Sequence, residues 1–390
     1  MTSVASARHE CVLRLDERSA WLILSAVAGV GPRTCGALVR RFGSALRAVS
    51  ASAGDLACGP GIGLARGGAL ASEFAAVDPR ALEASALAAG LRVTTPVDTD
   101  YPEAVRTSVD PPAALYVRGA LPPSDQRMVA IVGTRRASPY GLRMARHFAE
   151  ALARAGVVVV SGLARGIDGA AHAGALAGGG VTVAVLGSGA DIVYPPEHHA
   201  LASEVVVRGA LVSEHPPGTP PLPSHFLRRN RIVAAMVKAV LVVEAPVRSG
   251  ALTTARLATE FGRDVLAIPG PVDRGGHAGC HRLLRDGAIL CEAPEDVLEL
   301  IGLGGLTEGG ESTRLADDGR GPRRNGRRPP AGAGGARVIW DALDLDDARD
   351  ADDLARRTGL SPDAVADALT TLELDGLVTR MPGAGFLRRR

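Results

Sequence analysis

Between residues 127 and 270 the chain alternates short, wholly apolar runs with helix-length amphipathic stretches. The runs are Met128 to Val132, Val157 to Val160, Thr182 to Leu186, Ala210 to Val212, Val240 to Val243 and Val265 to Ile268. Nearly every one stops at a small or polar cluster: Gly133-Thr134-Arg135, Ser161-Gly162-Leu163-Ala164-Arg165-Gly166, Gly187-Ser188-Gly189, Pro269-Gly270. Such runs read as strands, and the helical spacing between them predicts βαβ units and a Rossmann-like, doubly wound, mostly parallel α/β sheet. All strands of such a sheet end at one edge, so Gly-rich strand ends far apart in sequence meet in a crevice where the strand order reverses. The pattern therefore predicts a ligand groove.

The flanking segments follow other rules. Trp21 to Val27 and Pro32 to Phe42 predict two short helices joined by Gly29-Val30-Gly31, with Pro32 at a first helical position. A second turn, Gly59-Pro60-Gly61-Ile62-Gly63, leads into another helical stretch, so residues 1–80 read as a helix-hairpin-helix-like (SAM-like) domain. Glycine turns of this kind either let the backbone approach a phosphate or simply close a small bundle, and the sequence leaves both readings open. Arg33, Arg40, Arg41 and Arg47 bring positive charge to the first turn. Residues 81–301 form the sheet domain, entered through a proline-dense connector from Ala81 to Pro123 that carries one helix and a short strand, Val93 to Thr95. Residues 302–336, rich in Gly, Pro and Arg without periodicity, read as a flexible linker whose Arg320, Arg323, Arg324, Arg327 and Arg328 are solvated charge or nonspecific nucleic-acid contacts. Over 337–390, Val338 to Leu343, Ala351 to Thr358, Ser361 to Leu374 and a hairpin within Gly376 to Leu387 predict a winged helix. Its would-be recognition helix carries Asp363, Asp367 and Glu373 and no Lys or Arg, which favours a protein partner over a duplex groove.

Composition narrows the field only a little. At 390 residues and 46% hydrophobic content the chain can bury a large core, and 44 Lys plus Arg against 42 Asp plus Glu leave a net charge of +2, so any basic patch is local. Charges at Arg8, Glu10 and Arg14 interrupt what a signal peptide would need, and no run reaches membrane-spanning length, so a cytoplasmic protein without membrane contact is expected. Cys11, Cys35, Cys58, Cys280 and Cys291 form no C-x-x-C pair, which argues against zinc and disulfides and for small buried thiols.

The candidate chemistry lies at the strand ends. Arg135 and Arg136 follow Gly133 and Thr134 directly after an apolar central strand, and Ser138-Pro139 then reads as an N-cap with proline at the first helical position; two guanidiniums at a helix N-terminus suit a phosphate. Neither the dinucleotide fingerprint G-x-G-x-x-G nor the nucleotide-hydrolase loop G-x-x-x-x-G-K-[ST] is present there. Ser161 to Gly166 predicts an anion-binding nest with Arg165 as a charged donor, Asp168 an N-cap, and His172 a packed rather than catalytic residue. Phe226, Arg228, Asn230 and Arg231 open a helix that turns apolar at Ile232, and an aromatic among arginines is the composition of a single-stranded nucleic-acid site. Arg248-Ser249-Gly250 opens another helix on the same edge. No Ser/His/Asp arrangement, metal-spaced cluster or catalytic cysteine emerges, so the expectation is a binding groove without catalytic residues, metal or cofactor.

Taken together, the runs Ile131 to Arg136, Ser161 to Asp168 with Ala171-His172, Phe226 to Ile232, Glu244 with Ser249-Gly250, and Val265 to Gly270 resemble the DprA/Smf family of DNA-processing proteins over almost the whole chain. The resemblance implies a Rossmann-type domain that binds single-stranded DNA, dimerises, and helps load RecA onto strands covered by single-strand-binding protein during natural transformation. It implies phosphate contacts at Arg135 and at the Ser161–Gly166 nest, and base or backbone contacts at Phe226, Arg228, Asn230 and Arg231. Leu227 stands where the family more often has proline and Thr134 where serine is common. The rivals are a Rossmann-like nucleotide-processing hydrolase, for which the first acid after Gly250 is Glu260, and a scaffold with a vestigial groove.

Overall fold

The computed structural model describes residues 15–59, 62–273, 275–304, 335–343, 348–381 and 385–388. The expected linker arginines, the N-terminal charges and the centre of the second glycine turn lie outside them. The chain divides into two compact units, Met1–Arg136 with Met144–Leu306, and Ala137–Arg143 with Thr307–Arg390.

The first unit is built on a nine-stranded sheet. Its strands are β1 Arg92–Thr94, β2 Leu115–Gly119, β3 Met128–Val132, β4 Val158–Ser161, β5 Thr182–Val185, β6 Ala210–Ser213, β7 Ala239–Val242, β8 Asp264–Ala267 and β9 Ile289–Leu290, in the spatial order β1-β2-β6-β5-β4-β3-β7-β8-β9. From β6 to β9 every pairing is parallel, and β1 and β2 add an antiparallel edge. Strands β3 to β7 are buried along their whole length, as the continuous Val/Ala/Ile/Leu runs require of a sheet covered on both faces. The chain winds outward from β3 through β4 and β5 to β6, then returns to β7 on the other side of β3. Strand order therefore reverses between β3 and β7. Strand β2 was not foreseen: Pro111 and Pro112 mark a connector, yet Leu115-Tyr116-Val117 just beyond them is buried against β6 in register Tyr116 with Ser213.

Helices Glu17–Ala26, Pro32–Phe42, Ala45–Val49, Ala53–Ala57, Leu64–Ala76 and Pro79–Ala88 precede the sheet. Trp21, Leu24, Leu38, Leu56, Leu70 and Phe74 form their core. Side-chain caps fix the starts: Asp16 accepts the Ser19 N–H at 2.8 Å and Ser44 the Arg47 N–H at 3.1 Å. Arg18 ties this bundle to the sheet, donating to Asp98 at 3.0 Å and to the Val93 carbonyl at 3.1 Å. No helix among the described residues is long and apolar enough to cross a membrane. Cys35, Cys280 and Cys291 are buried thiols, and burial pushes Cys35 up to about 12; Cys58, expected among them, is exposed at the end of its short helix.

In the second unit, helices Gly335–Ala342, Ala351–Thr358 and Pro362–Leu374 and the hairpin Val378–Met381 with Gly385–Arg388 surround Ile339, Trp340, Leu354, Leu369 and Leu372. Asp363, Asp367 and Glu373 are exposed on the last helix. Ser138 caps the helix Pro139–Arg154 as the sequence predicts, accepting the Gly141 N–H at 3.1 Å.

Candidate nucleic-acid interface

A groove of about 440 Å³ opens at the carboxyl ends of the strands, where the order reverses. Gly133, Thr134 and Arg135 reach it from β3, Gly162, Ala164 and Asp168 from β4, and Arg248, Ser249 and Gly250 from the turn after β7. Helix Pro223–Met236 supplies Phe226, Leu227, Arg229 and Asn230, and Tyr194 joins from the segment after β5. Of the sequence-selected residues, Gly133, Thr134, Arg135, Gly162, Phe226, Asn230, Ser249 and Gly250 meet here. Arg136, Ser161, Arg165, Gly166, Arg228 and Arg231 do not line it.

The lip of the groove is an aromatic stack. The Arg135 guanidinium lies over the Phe226 ring at 4.8 Å from its centre, and the Tyr194 ring is 5.7 Å away, tilted by 47°. Phe226 is half-buried and Arg135 exposed. A cation over an aromatic face at such a site contributes about 0.5–1 kcal/mol, enough to align the pair without removing either from solvent.

The floor is ionic. Arg229 and Asp168 are both buried, and the Arg229 guanidinium donates to the Val185 carbonyl beneath the loop that follows β4. A Cβ on Gly162 would collide with that guanidinium, so only glycine lets the loop cross it. Desolvation draws Arg229 down to about 10, where it remains a cation at neutral pH, with Asp168 opposing the shift. Burial pushes the Asp168 carboxyl above its ordinary value, against the pull of Arg229 and of the backbone N–H groups it accepts. Asp168 is not the N-cap expected of it. Gly166 holds that position, and Asp168 lies two residues into the helix Ile167–Ala177, accepting the Gly162 N–H at 3.1 Å.

The nest after β4 thus closes on a carboxylate of its own. Ser161 is buried and its hydroxyl donates to the Ile131 carbonyl at 2.7 Å, so neither it nor the Gly162 N–H points to a free ligand position. Leu163 takes φ +56, rare for a side chain of its size, and is held there by burial and by His198 Nδ1, which donates to its carbonyl at 2.9 Å. Gly166 takes φ +76 against the backbone of Thr134 and Arg135. Arg165 is exposed and paired with Glu197. His172 packs, as expected: Thr182 Oγ1 donates to the Val159 carbonyl and so accepts from His172 Nδ1 at 2.7 Å, and burial pulls the imidazole down to about 3.

Asn230 donates to the Gly250 carbonyl at 3.2 Å, fixing the two helices that flank the groove. Ser249 caps the helix Gly250–Glu260, accepting the Ala251 N–H at 3.3 Å. Arg231 is held by Glu214 and donates to the Asp110 carbonyl at 2.5 Å. Arg248 lines the groove, exposed and with no ion-pair partner among the described residues. Arg229, Asp168, Arg248 and Tyr194 are thus groove residues outside the sequence-selected set; the Arg-Arg-Asn-Arg run contains the signal for Arg229, but not which arginine turns inward.

Residues 92–302 match the family model of DNA recombination-mediator protein A, and residues 324–384 match the DprA winged helix domain. The chain belongs to the DNA recombination-mediator protein A, or DprA/Smf, family. It is 42% identical to protein Smf of Escherichia coli over 299 residues, which are 76% of this chain and 77% of that one. With DNA processing protein DprA of Streptococcus pneumoniae it shares 42% identity over 202 residues, 52% of this chain and 71% of the relative. The X-ray structure of DprA from that organism superposes with a TM-score of 0.60 at 30% identity, covering 74% of this chain and 98% of the other. The Rossmann-like sheet and the C-terminal winged helix are therefore family features, and the chain is a DNA-processing recombination mediator.

Proposed function

We propose that the groove binds single-stranded DNA through the Arg135–Phe226 stack, and that the protein works by holding the strand rather than by cutting a bond. The observation that carries this is the half-buried Phe226 ring at the groove lip, faced by an exposed guanidinium, in a chain only 3% aromatic. An aromatic face takes an unpaired base of any sequence, whereas a duplex keeps its bases stacked on one another. Arg135, after β3, and Arg248, after β7, are exposed arginines of the groove that take phosphates, with Gly133, Thr134, Ser249 and Gly250 bringing backbone close to the strand. Asp168 is the one carboxylate among the described lining residues, and it is buried and accepts the Gly162 N–H, a poor position for a general acid or base. Within this reading the protein protects incoming strands, helps load RecA onto strands covered by single-strand-binding protein during natural transformation, and acts in the cytoplasm as a homodimer; these steps rest on the family.

Binding of a single-stranded oligonucleotide, the matching duplex and a nucleoside monophosphate, with base release followed in the same samples, tests the reading. The single strand should bind more tightly than the duplex by at least ~1 kcal/mol, and affinity should fall as salt rises. Equal affinity for the two forms at moderate salt would overturn it, and release of free base would establish the hydrolase instead.

A further inference from the structure

The helices that flank the groove continue past it. Gly250, Ala251 and Thr254 line the groove, while Leu257, Glu260 and the following Phe261 line a second cavity, of about 430 Å³. On the other flanking helix the two cavities share one stretch on different faces, Phe226, Leu227, Arg229, Asn230 and Val233 lining the groove and Arg228 and Arg231 the second cavity. From Thr254 to Leu257 the advance is less than one helical turn, ~5 Å, comparable to the step between phosphates on a strand. The far wall is Gly31, Pro32 and Arg33 from the first glycine turn, with Val109 and Asp110.

The chemistry of this cavity is that of a nucleotide. Phe261 and Leu257 are half-buried and Val109 is 66% exposed, giving an apolar surface. Around it, Arg231 is neutralised by Glu214, Glu260 by Arg256, and Asp110 by Arg33 at 3.5 Å. Arg228 is exposed, without an ion-pair partner among the described residues, and a Cβ on Gly31 would lie 3.7 Å from its guanidinium. Gly31 gives the helix Pro32–Phe42 no side-chain cap, so the N–H groups of its first turn add to the potential beside Arg228. We infer that this cavity is a second subsite for the same single strand, taking the next nucleotide beyond the groove with its base on Phe261 and its phosphate between Arg228 and the Gly31–Arg33 turn. The inference rests on the groove reading above.

Phe261 packs partly against the sheet core, so the test uses Arg33, whose side chain is 93% exposed. In the full chain, Arg33→Glu should weaken binding of an oligothymidylate of about 12 nucleotides roughly fivefold and shallow its salt slope by about 0.7, one phosphate contact's worth, while leaving thymidine monophosphate, too short to reach past the groove, unaffected. Arg228→Glu should do the same to the longer oligomer. Unchanged affinity for the longer oligomer in both variants, or equal losses at both lengths, would overturn the second subsite and leave the groove reading standing. An Arg135→Ala variant that binds the longer oligomer as tightly as the wild-type protein would instead overturn the groove reading and this inference with it.

Discussion

Two segments of the groove look alike in sequence and behave oppositely in the fold. Residues 161–168 and 223–231 each follow a buried strand and each combine arginine with polar residues that suit phosphates. The first uses its donors internally: Ser161 on Ile131, Gly162 on Asp168, Arg165 on Glu197. The second divides its arginines among three environments, Arg229 buried under the loop, Arg231 paired with Glu214, and Arg228 exposed without an ion pair among the described residues. A donor-rich loop is thus a ligand site only if nothing in its own fold reaches the donors first. In the nest after β4 a carboxylate two residues into the next helix does so, and the loop becomes a rigid floor for the stack that Arg135 and Phe226 build above it.

The sharpest way to break this contrast is to remove the carboxylate. Asp168→Ala would leave the buried Gly162 N–H without its acceptor and remove the carboxylate whose charge favours the buried Arg229 cation, and should destabilise the protein by about 3 kcal/mol, read as a large drop in melting temperature. A near-normal melt would mean that the loop does not depend on the carboxylate. The second test is acid. His172, on the helix behind the loop, titrates at about 3 when folded, below its ordinary value of 6.5, so the unfolded chain takes up the proton first as pH falls. Its stabilising contribution is therefore complete above pH 6.5 and is lost progressively towards pH 3, about 2 kcal/mol by pH 5, and His172→Gln should flatten that part of the profile. A melting temperature equally acid-sensitive in both proteins would place the effect elsewhere. Smaller still is the coupling on the lip: in a double-mutant cycle of stability, Arg135→Ala and Phe226→Ala should be non-additive by about 0.5–1 kcal/mol because the side chains touch. Strict additivity would mean that the stack carries no energy. At the bottom of the scale, Arg165→Ala should leave both melting temperature and oligonucleotide affinity unchanged, since its pair with Glu197 is solvated. A clear loss of affinity would restore Arg165 to the binding surface.

The sequence carries the scaffold well because scaffold signals are periodic. Strand Met128–Val132 and helices Pro32–Phe42 and Ala351–Thr358 run between the very residues their apolar patterns mark, and the groove opens where the glycine-bounded strand ends predict. What it hides is the allocation of polar groups. Asp168 carries the local signature of an N-cap, and only the fold shows its carboxylate turned back to the Gly162 N–H, with the Arg229 guanidinium buried under the same loop. Asn230, selected as a nucleic-acid contact, carries no mark that its amide would be engaged by the Gly250 carbonyl. Strand β2 is hidden for a related reason: the prolines end three residues before Leu115, and only pairing with β1 and β6 reveals where the strand begins.

The central claim is that Phe226 reads unpaired bases while the charges around it hold phosphates. The direct measurement is the affinity of wild-type protein and Phe226→Ala for one single-stranded oligonucleotide and its duplex at fixed salt, with thermal melting of both proteins as control. Phe226→Ala should lose about 1–3 kcal/mol for the single strand, change little for the duplex, and keep an unaltered salt slope. Equal losses on both forms, or a loss that merely tracks a lowered melting temperature, would contradict it and leave Phe226 a packing residue in a groove that binds by charge alone.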